Sequence, residues 1–223
     1  VCGQKPCICP PPEEKPCKVC GNIPCVCEKT PKKMVKIKLS EGNYRNLDSM
    51  VKTMFYSPEG KPISAGEFVK RLFEDIPKFF ENEEELRRIW SLPDTRKRLI
   101  EELGEAGYSL EQLEDLKSII NAKDSDLYDA LSYIAYHKDM VPRLLRAKKA
   151  KLKIVHYDDA KQEFLNFVLQ QYVDNGVKEL DDKRLATLLV AKYSAIEDAK
   201  QSLGEIPEIR DTFIDFQKYL YVS

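Results

Sequence analysis

The sequence predicts a mainly α-helical protein with a short β lead-in and a cysteine-rich first segment. From Ser64 onward, apolar residues recur at helical spacing, and several residue pairs stand in helix-capping register. All seven cysteines lie in the first 27 of the 223 residues. We therefore expect a cysteine-rich linker at 1–32, a β hairpin-like lead-in at 33–63 and a multi-helix domain at 64–223.

The lead-in is predicted from two short apolar stretches and the turn that follows them. "KMVKIKL" (33–39) alternates lysine with apolar residues, which is typical of a strand, and "DSMVKTMFY" (48–56) is predicted to be a second strand. "SPEGKPIS" then predicts a turn built on Pro58 and Gly60.

The helical domain is predicted from its start and stop signals. A helix is expected to begin near Pro93 and to end at Gly107, and a later one to end at Asn175-Gly176. Three pairs have the spacing of a helix cap: Ser64 with Glu67, Asn82 with Glu85, and Ser109 with Gln112.

Two apolar features of this domain are expected to lie in its core. Trp90 is interpreted as a core anchor beside a helix boundary. The last segment, "IPEIRDTFIDFQKYLYV", carries an apolar stripe that either packs into the core or docks a partner. We favour the core, because most apolar stripes bury within their own domain.

Composition and charge exclude several classes of function. The chain is 43% hydrophobic and 33% charged with a net charge of −1, so no overall field points to nucleic acid or to an anionic membrane. It contains no membrane-spanning apolar run and no recognisable signal peptide, and we expect a cytoplasmic protein. It lacks a phosphate-binding loop, a zinc-protease motif and a dinucleotide fingerprint. No nucleophile pattern accompanies His156, so no catalytic residue is predicted.

The complete cysteine set predicts a structural zinc site. Cys17, Cys20, Cys25 and Cys27 have the spacing C-x2-C-x4-C-x-C, and Gly21 permits a tight turn after the first pair. Disulfide pairing fits less well, since there is no export signal and the cysteine count is odd. Redox chemistry lacks its usual flanking strand and helix. The C-x-C end is tight, so whether all four ligands bind one metal stays open.

The first segment also carries an incomplete copy of this set. Sliding "VCGNIPCVC" back by 18 residues overlays it on "VCGQKPCIC", which contains Cys2, Cys7 and Cys9. The equivalent of Cys17 would then fall before residue 1. We therefore expect the chain to be a fragment that begins within the repeat, and a second zinc site to need the missing cysteine.

A basic run, "RLLRAKKAKLKI" (143–154), is a candidate contact surface for a nucleic acid or a partner protein. It contains no acidic residue, so it could follow a phosphate backbone or meet an acidic protein face. The alternative is a solvated helix end. Its basic residues are Arg143, Arg146, Lys148, Lys149, Lys151 and Lys153.

Several segments of the helical part, taken in order, resemble the carboxy-terminal region of type I restriction enzyme R subunits of the EcoEI kind. They include "DSDLYDALSYIAY" (124–136), "KQEFLNFVLQQYVDNGVKELDDKRLATLLVAKY" and the closing "IRDTFIDFQKYLY". The resemblance covers about residues 48–221. The cysteine-rich segment is not part of it.

The resemblance implies a coupling function. R subunits of this family carry a nuclease domain, a two-lobed DNA-translocating motor that uses ATP and Mg²⁺, and then a mostly helical region. That region is expected to attach the motor to the methyltransferase and specificity subunits, while duplex DNA is engaged by the whole complex. No catalytic residue is implied for this chain. The alternative is an independent zinc-containing protein that binds nucleic acid.

Overall fold

The computed structural model describes residues 33–49 and 53–222. All of them belong to one compact unit, Pro31–Ser223, while a second unit, Val1–Thr30, lies outside the described residues. The predicted class, mainly α-helical with a β-hairpin lead-in, is confirmed for the described part of the chain. The predicted zinc segment lies outside it.

The lead-in begins with a β hairpin. Strand β1 (Met34–Ser40) pairs antiparallel with β2 (Asn43–Asp48), and the tight turn between them has Gly42 at φ +77°. A left-handed backbone suits glycine, because a Cβ would be strained there. The predicted first strand is therefore confirmed.

The prediction of a second strand at 48–56 is wrong in its placement. The partner strand β2 ends at Asp48, and in the later part of this stretch that the structure describes, residues 49 and 53–56, the one strand is β3 (Phe55–Tyr56). Arg45 and Leu47 of β2 are buried. An arginine at an inward-facing position hides the apolar alternation by which a strand is recognised, and only a tertiary partner makes that position favourable.

Arg45 joins the hairpin to the end of a helix. Its Nε donates to the Tyr133 carbonyl at 2.6 Å, and its Nη2 donates to the carbonyls of Ile134 at 2.5 Å and Ala135 at 3.4 Å. These carbonyls belong to the last turn of α5 (Leu127–Tyr136). The last carbonyls of a helix have no partner within it, so the buried guanidinium acts as a cap.

A second, very short hairpin precedes the helices. Strand β3 pairs with β4 (Pro62–Ile63) across the predicted turn, in which the Gly60 amide donates to the Ser57 carbonyl at 2.8 Å. The Phe55 ring stacks on the Phe68 ring with centroids 4.4 Å apart. This hairpin is thereby packed on the first helix.

The first four helices follow the predicted signals. Ser64, Asn82 and Ser109 each accept the backbone N–H of the residue three positions later, so the predicted caps are confirmed. Gly107, at φ +94°, follows the end of the third helix as predicted. These helices are α1 (Ala65–Asp75), α2 (Glu83–Trp90), α3 (Pro93–Glu105) and α4 (Leu110–Ile119).

The remaining helices follow α5, and the longest of them has short 3-10 turns on each side. Gly176 ends the longest of them, as predicted. They are α6 (Arg143–Lys151), α7 (Asp159–Asn175), α8 (Leu185–Tyr193), α9 (Ile196–Leu203) and α10 (Ile206–Asp215). None of the helices in the described part of the chain is long and apolar enough to cross a membrane.

The end of the chain packs into the core. Phe213, Phe216 and Leu220 are buried, and the chain tightens into a 3-10 helix at Phe216–Leu220. Trp90 is fully buried, as expected. The apolar stripe of the last segment is therefore a core element, because its side chains are already covered by this domain.

Candidate interaction surface

The predicted zinc ligands are not among the residues that can be placed. Cys17, Cys20, Cys25 and Cys27 lie outside the described residues. The same holds for the incomplete set, Cys2, Cys7 and Cys9. In residues 33–49 and 53–222, no group of three or more His, Cys, Asp or Glu residues is positioned to hold a metal ion.

The basic run forms helix α6 and the turn after it, and the structure divides its six basic residues into two groups. Arg146 is buried and Arg143 is half-buried. Lys148, Lys149, Lys151 and Lys153 are exposed. The two arginines of the run therefore pack toward the domain interior, and its four lysines face solvent.

Arg146 is held by a buried ion pair. Its Nη2 donates to Asp129 Oδ1 of α5, and both side chains are at most 5% exposed. Its Nη1 donates to the Leu220 carbonyl at 2.8 Å. The guanidinium also lies against the Tyr128 and Tyr221 rings, 5.3 and 4.7 Å from their centroids. Arg146 therefore connects α6 to α5 and to the end of the chain. Because it is buried, it is not available as a surface contact.

The environment of Asp129 decides its charge. Burial raises its pKa to about 6, the neighbouring Asp126 adds to the rise, and the Arg146 guanidinium opposes it. The Val141 amide donates to Asp129 Oδ1 at 3.1 Å, and the Asp126 amide donates to Asp129 Oδ2 at 3.0 Å. The carboxyl is thus ionised at neutral pH, and its charge is matched by an arginine and two backbone donors.

A second buried carboxylate lies beside this pair. Asp126 Oδ2 accepts the hydroxyls of Tyr172 at 2.5 Å and Tyr221 at 2.8 Å. Burial and the nearby carboxylate hold the pKa of both tyrosines well above the ordinary value, so both remain donors. Oδ1 is buried and has no partner among the described residues. This cluster connects α5, α7 and the chain end.

Arg143 has a comparable structural role at the start of α6. Its Nη1 donates to the Ser125 carbonyl at 2.9 Å and its Nε to the Val173 carbonyl at 3.4 Å. Its own amide donates to the Asp124 carbonyl at 2.7 Å. The first residue of α6 is therefore held both by the segment before α5 and by the end of α7.

Sequence reasoning missed the two buried acidic residues of this site, Asp129, which pairs with Arg146, and Asp126, which accepts two tyrosine hydroxyls. Asp126 and Asp129 stand at i and i+3 inside "SDLYDALSYIAY", a stretch that is otherwise largely apolar. Acidic residues within an apolar helix are seldom buried unless they are paired, so this pattern was the available signal. A further buried cation, Arg96 in α3, also went unnoticed; it donates to the carbonyls of Trp90 at 3.2 Å and Leu180 at 3.3 Å.

The exposed lysines form the part of the run that is open to a partner. Lys148, Lys149, Lys151 and Lys153 make no ion pair or hydrogen bond through their side chains with another described residue. Elsewhere on the helices, lysines such as Lys97 pair with a glutamate one turn away, here Glu101 at 3.5 Å. The α6 lysines thus leave a local excess of positive charge.

The described residues define a class of protein. They form a helical domain whose buried ion pair and carboxylate cluster hold its elements together, and whose candidate contact site is an external basic surface. The chain belongs to the family described as EcoEI R protein C-terminal, whose model matches residues 66–221. The resemblance found in the sequence is thereby confirmed.

A curated relative agrees with this family. The chain is 25% identical over 163 residues to the type I restriction enzyme EcoAI endonuclease subunit of Escherichia coli. The match covers 72% of this chain, but the chain spans only 18% of the length of that subunit. No solved structure matches the chain.

Proposed function

We propose that this chain is the coupling and assembly region of a type I restriction enzyme R subunit. In this proposal, the helical domain attaches the ATP-dependent motor and nuclease of the parent subunit to the methyltransferase and specificity subunits. The observation that carries the proposal is the family match, which runs from α1 to the end of the chain's last 3-10 helix. ATP and Mg²⁺ act in the parent subunit and not in this region.

The fold gives this proposal physical support. A region that transmits force between a motor and its anchor needs elements that do not slide past each other. The Asp129–Arg146 pair and the Asp126 cluster tie α5, α6, α7 and the chain end together through buried contacts. We place the assembled enzyme in the cytoplasm, where duplex DNA is reached through the whole complex.

Co-purification tests the coupling function. The chain is co-expressed with a tagged methyltransferase subunit and the specificity subunit of the same restriction system, and the complex is isolated by size exclusion. We expect the chain to elute with both subunits and to bind duplex DNA only weakly when alone. A chain that binds no core, but binds DNA in a salt-sensitive manner, would instead indicate an independent nucleic-acid-binding protein.

We further propose that Cys17, Cys20, Cys25 and Cys27 hold one structural zinc ion. A segment of this length is too short for a hydrophobic core, and metal binding supplies folding free energy in such cases. We expect one zinc per chain by metal analysis and its loss in Cys17→Ser. Cys9→Ser, in the incomplete set, is the matched control and should keep the metal. A chain with no zinc contradicts the proposal.

A further inference from the structure

We propose that the end of α6 and the turn after it form the docking surface of this module, and that it binds an acidic protein segment carrying apolar side chains. We call it the α6 surface. It rests on the proposed function in one respect, namely that the methyltransferase–specificity core supplies the segment. The α6 surface consists of Lys148, Lys149, Lys151, Leu152, Lys153 and Val155.

The charge of the α6 surface is not balanced by its neighbours. Its lysines make no ion pair with another described residue. Helix α6 packs against α7 and the 3-10 helix at the chain end, and the aspartates that directly precede these two elements are already engaged. Asp158 pairs with Lys161 at 3.2 Å, and Asp215 pairs with Lys218 at 2.6 Å. Carboxylates from a partner would therefore meet lysines that are not already paired with a carboxylate of this domain.

Two aliphatic side chains lie among these lysines. Leu152 is 73% exposed and Val155 is 65% exposed, the two highest values for large apolar residues in the described part of the chain. A single exposed leucine needs no explanation. Two aliphatic residues three positions apart, surrounded by unpaired lysines, reproduce the apolar centre and polar rim of a protein interface.

The α6 surface is rigidly supported from below. Ala147, Ala150 and Ile154 are buried beneath it, and Arg146 anchors the same helix through its ion pair. Binding to such a surface costs little ordering of the backbone, which favours affinity. The lysine side chains still lose freedom on binding, so the apolar pair is expected to supply a large share of the binding free energy.

The apolar pair favours a protein partner over a nucleic acid. Duplex DNA is held by hydrogen bonds and charge contacts to its phosphates, to which leucine and valine contribute nothing. Single strands are bound on aromatic faces, and the α6 surface presents aliphatic ones. An acidic segment with one or two apolar residues between its carboxylates matches both features of the surface.

The test compares two variants of the α6 surface with matched controls. Leu152→Ser removes the apolar centre, and Lys149→Glu/Lys153→Glu reverses charge at the rim. The controls are Leu110→Ser, which alters a leucine that is 51% exposed on α4, and Lys61→Glu/Lys183→Glu, which makes the same charge change at exposed sites elsewhere. Affinity of the whole chain for the purified methyltransferase–specificity core is measured by interferometry at two salt concentrations.

We expect both α6 variants to bind the core at least about tenfold more weakly than the unchanged chain, and both controls to bind within about twofold of it. Raising the salt concentration should weaken binding to the core less for the charge-reversed variant than for the unchanged chain. Thermal unfolding should be unchanged, since the altered side chains are exposed; Leu152→Gln replaces Leu152→Ser if that variant is unfolded.

Three results overturn the inference in distinguishable ways. If the unchanged chain binds the core and the α6 variants bind equally well, the docking surface lies elsewhere while the coupling function stands. If the unchanged chain does not bind the core, the coupling function fails and the inference fails with it. The same variants are also measured against a 30-base-pair DNA duplex. If only the charge-reversed variant is affected, and the affinity that it loses is for the duplex, the surface binds DNA and the proposal of an acidic protein segment is overturned.

Discussion

Arg146→Ala is expected to lower the free energy of unfolding by about 3–5 kcal/mol. The change leaves the Asp129 carboxylate buried without its cation, and it leaves the Leu220 carbonyl without the donor at 2.8 Å. Breaking one partner of a buried pair costs this much because the remaining charge keeps its full desolvation penalty. The measurement is urea unfolding followed by circular dichroism at neutral pH, where Asp129 is ionised.

Two further variants separate charge from packing at this site. Lys149→Ala alters an exposed basic residue of the same helix, and we expect a change within about 0.5 kcal/mol. Arg146→Met keeps much of the side-chain volume but removes the charge, and it should cost nearly as much as Arg146→Ala. If Arg146→Met were as stable as the unchanged chain, packing and not the ion pair would hold α6 in place.

Arg45→Met is expected to lower the free energy of unfolding by about 1.5–3 kcal/mol, the contribution typical of hydrogen bonds from a charged donor. Methionine retains the aliphatic stem but cannot donate to the carbonyls of Tyr133 and Ile134, which lie 2.6 and 2.5 Å from the guanidinium. Because these bonds join the β1–β2 hairpin to α5, their loss should destabilise the hairpin more than the rest of the domain.

Amide hydrogen exchange gives the sharper measurement for this change. We expect the paired amides of β1 and β2 to exchange faster in Arg45→Met, while amides in the middle of α7 change less. Lys38→Met is the matched control, since Lys38 is an exposed basic residue of the same hairpin. Unchanged protection of the hairpin would show that Arg45 does not attach it.

The helix boundaries could be predicted because their signals are local. Ser64, Asn82 and Ser109 cap their helices through bonds to amides three residues away. Gly107 and Gly176 end helices where the backbone has positive φ. Each signal depends on a few neighbouring residues and on backbone sterics, so it can be recognised in the sequence without a tertiary structure.

The second strand could not be predicted from the same kind of signal. β2 contains the buried Arg45, whose inward position is favourable only because the end of α5 offers carbonyl acceptors 88 and 89 residues further along the chain. No local pattern reports a partner at that separation. The apolar stretch at 48–56 was the stronger local signal, and it misled the prediction.

The sequence by itself determined the helical class, the capped starts and glycine stops, and the family, since these depend on short-range patterns and on segments that recur in order. Only the tertiary structure decided the roles within "RLLRAKKAKLKI". Arg146 is internal because Asp129 is buried beside it, whereas Lys149 and Lys153 have no such partner and face solvent. The physical reason is desolvation: a buried cation is stable only where the fold supplies acceptors for it, and for Arg146 the main acceptor is a carboxylate on another helix.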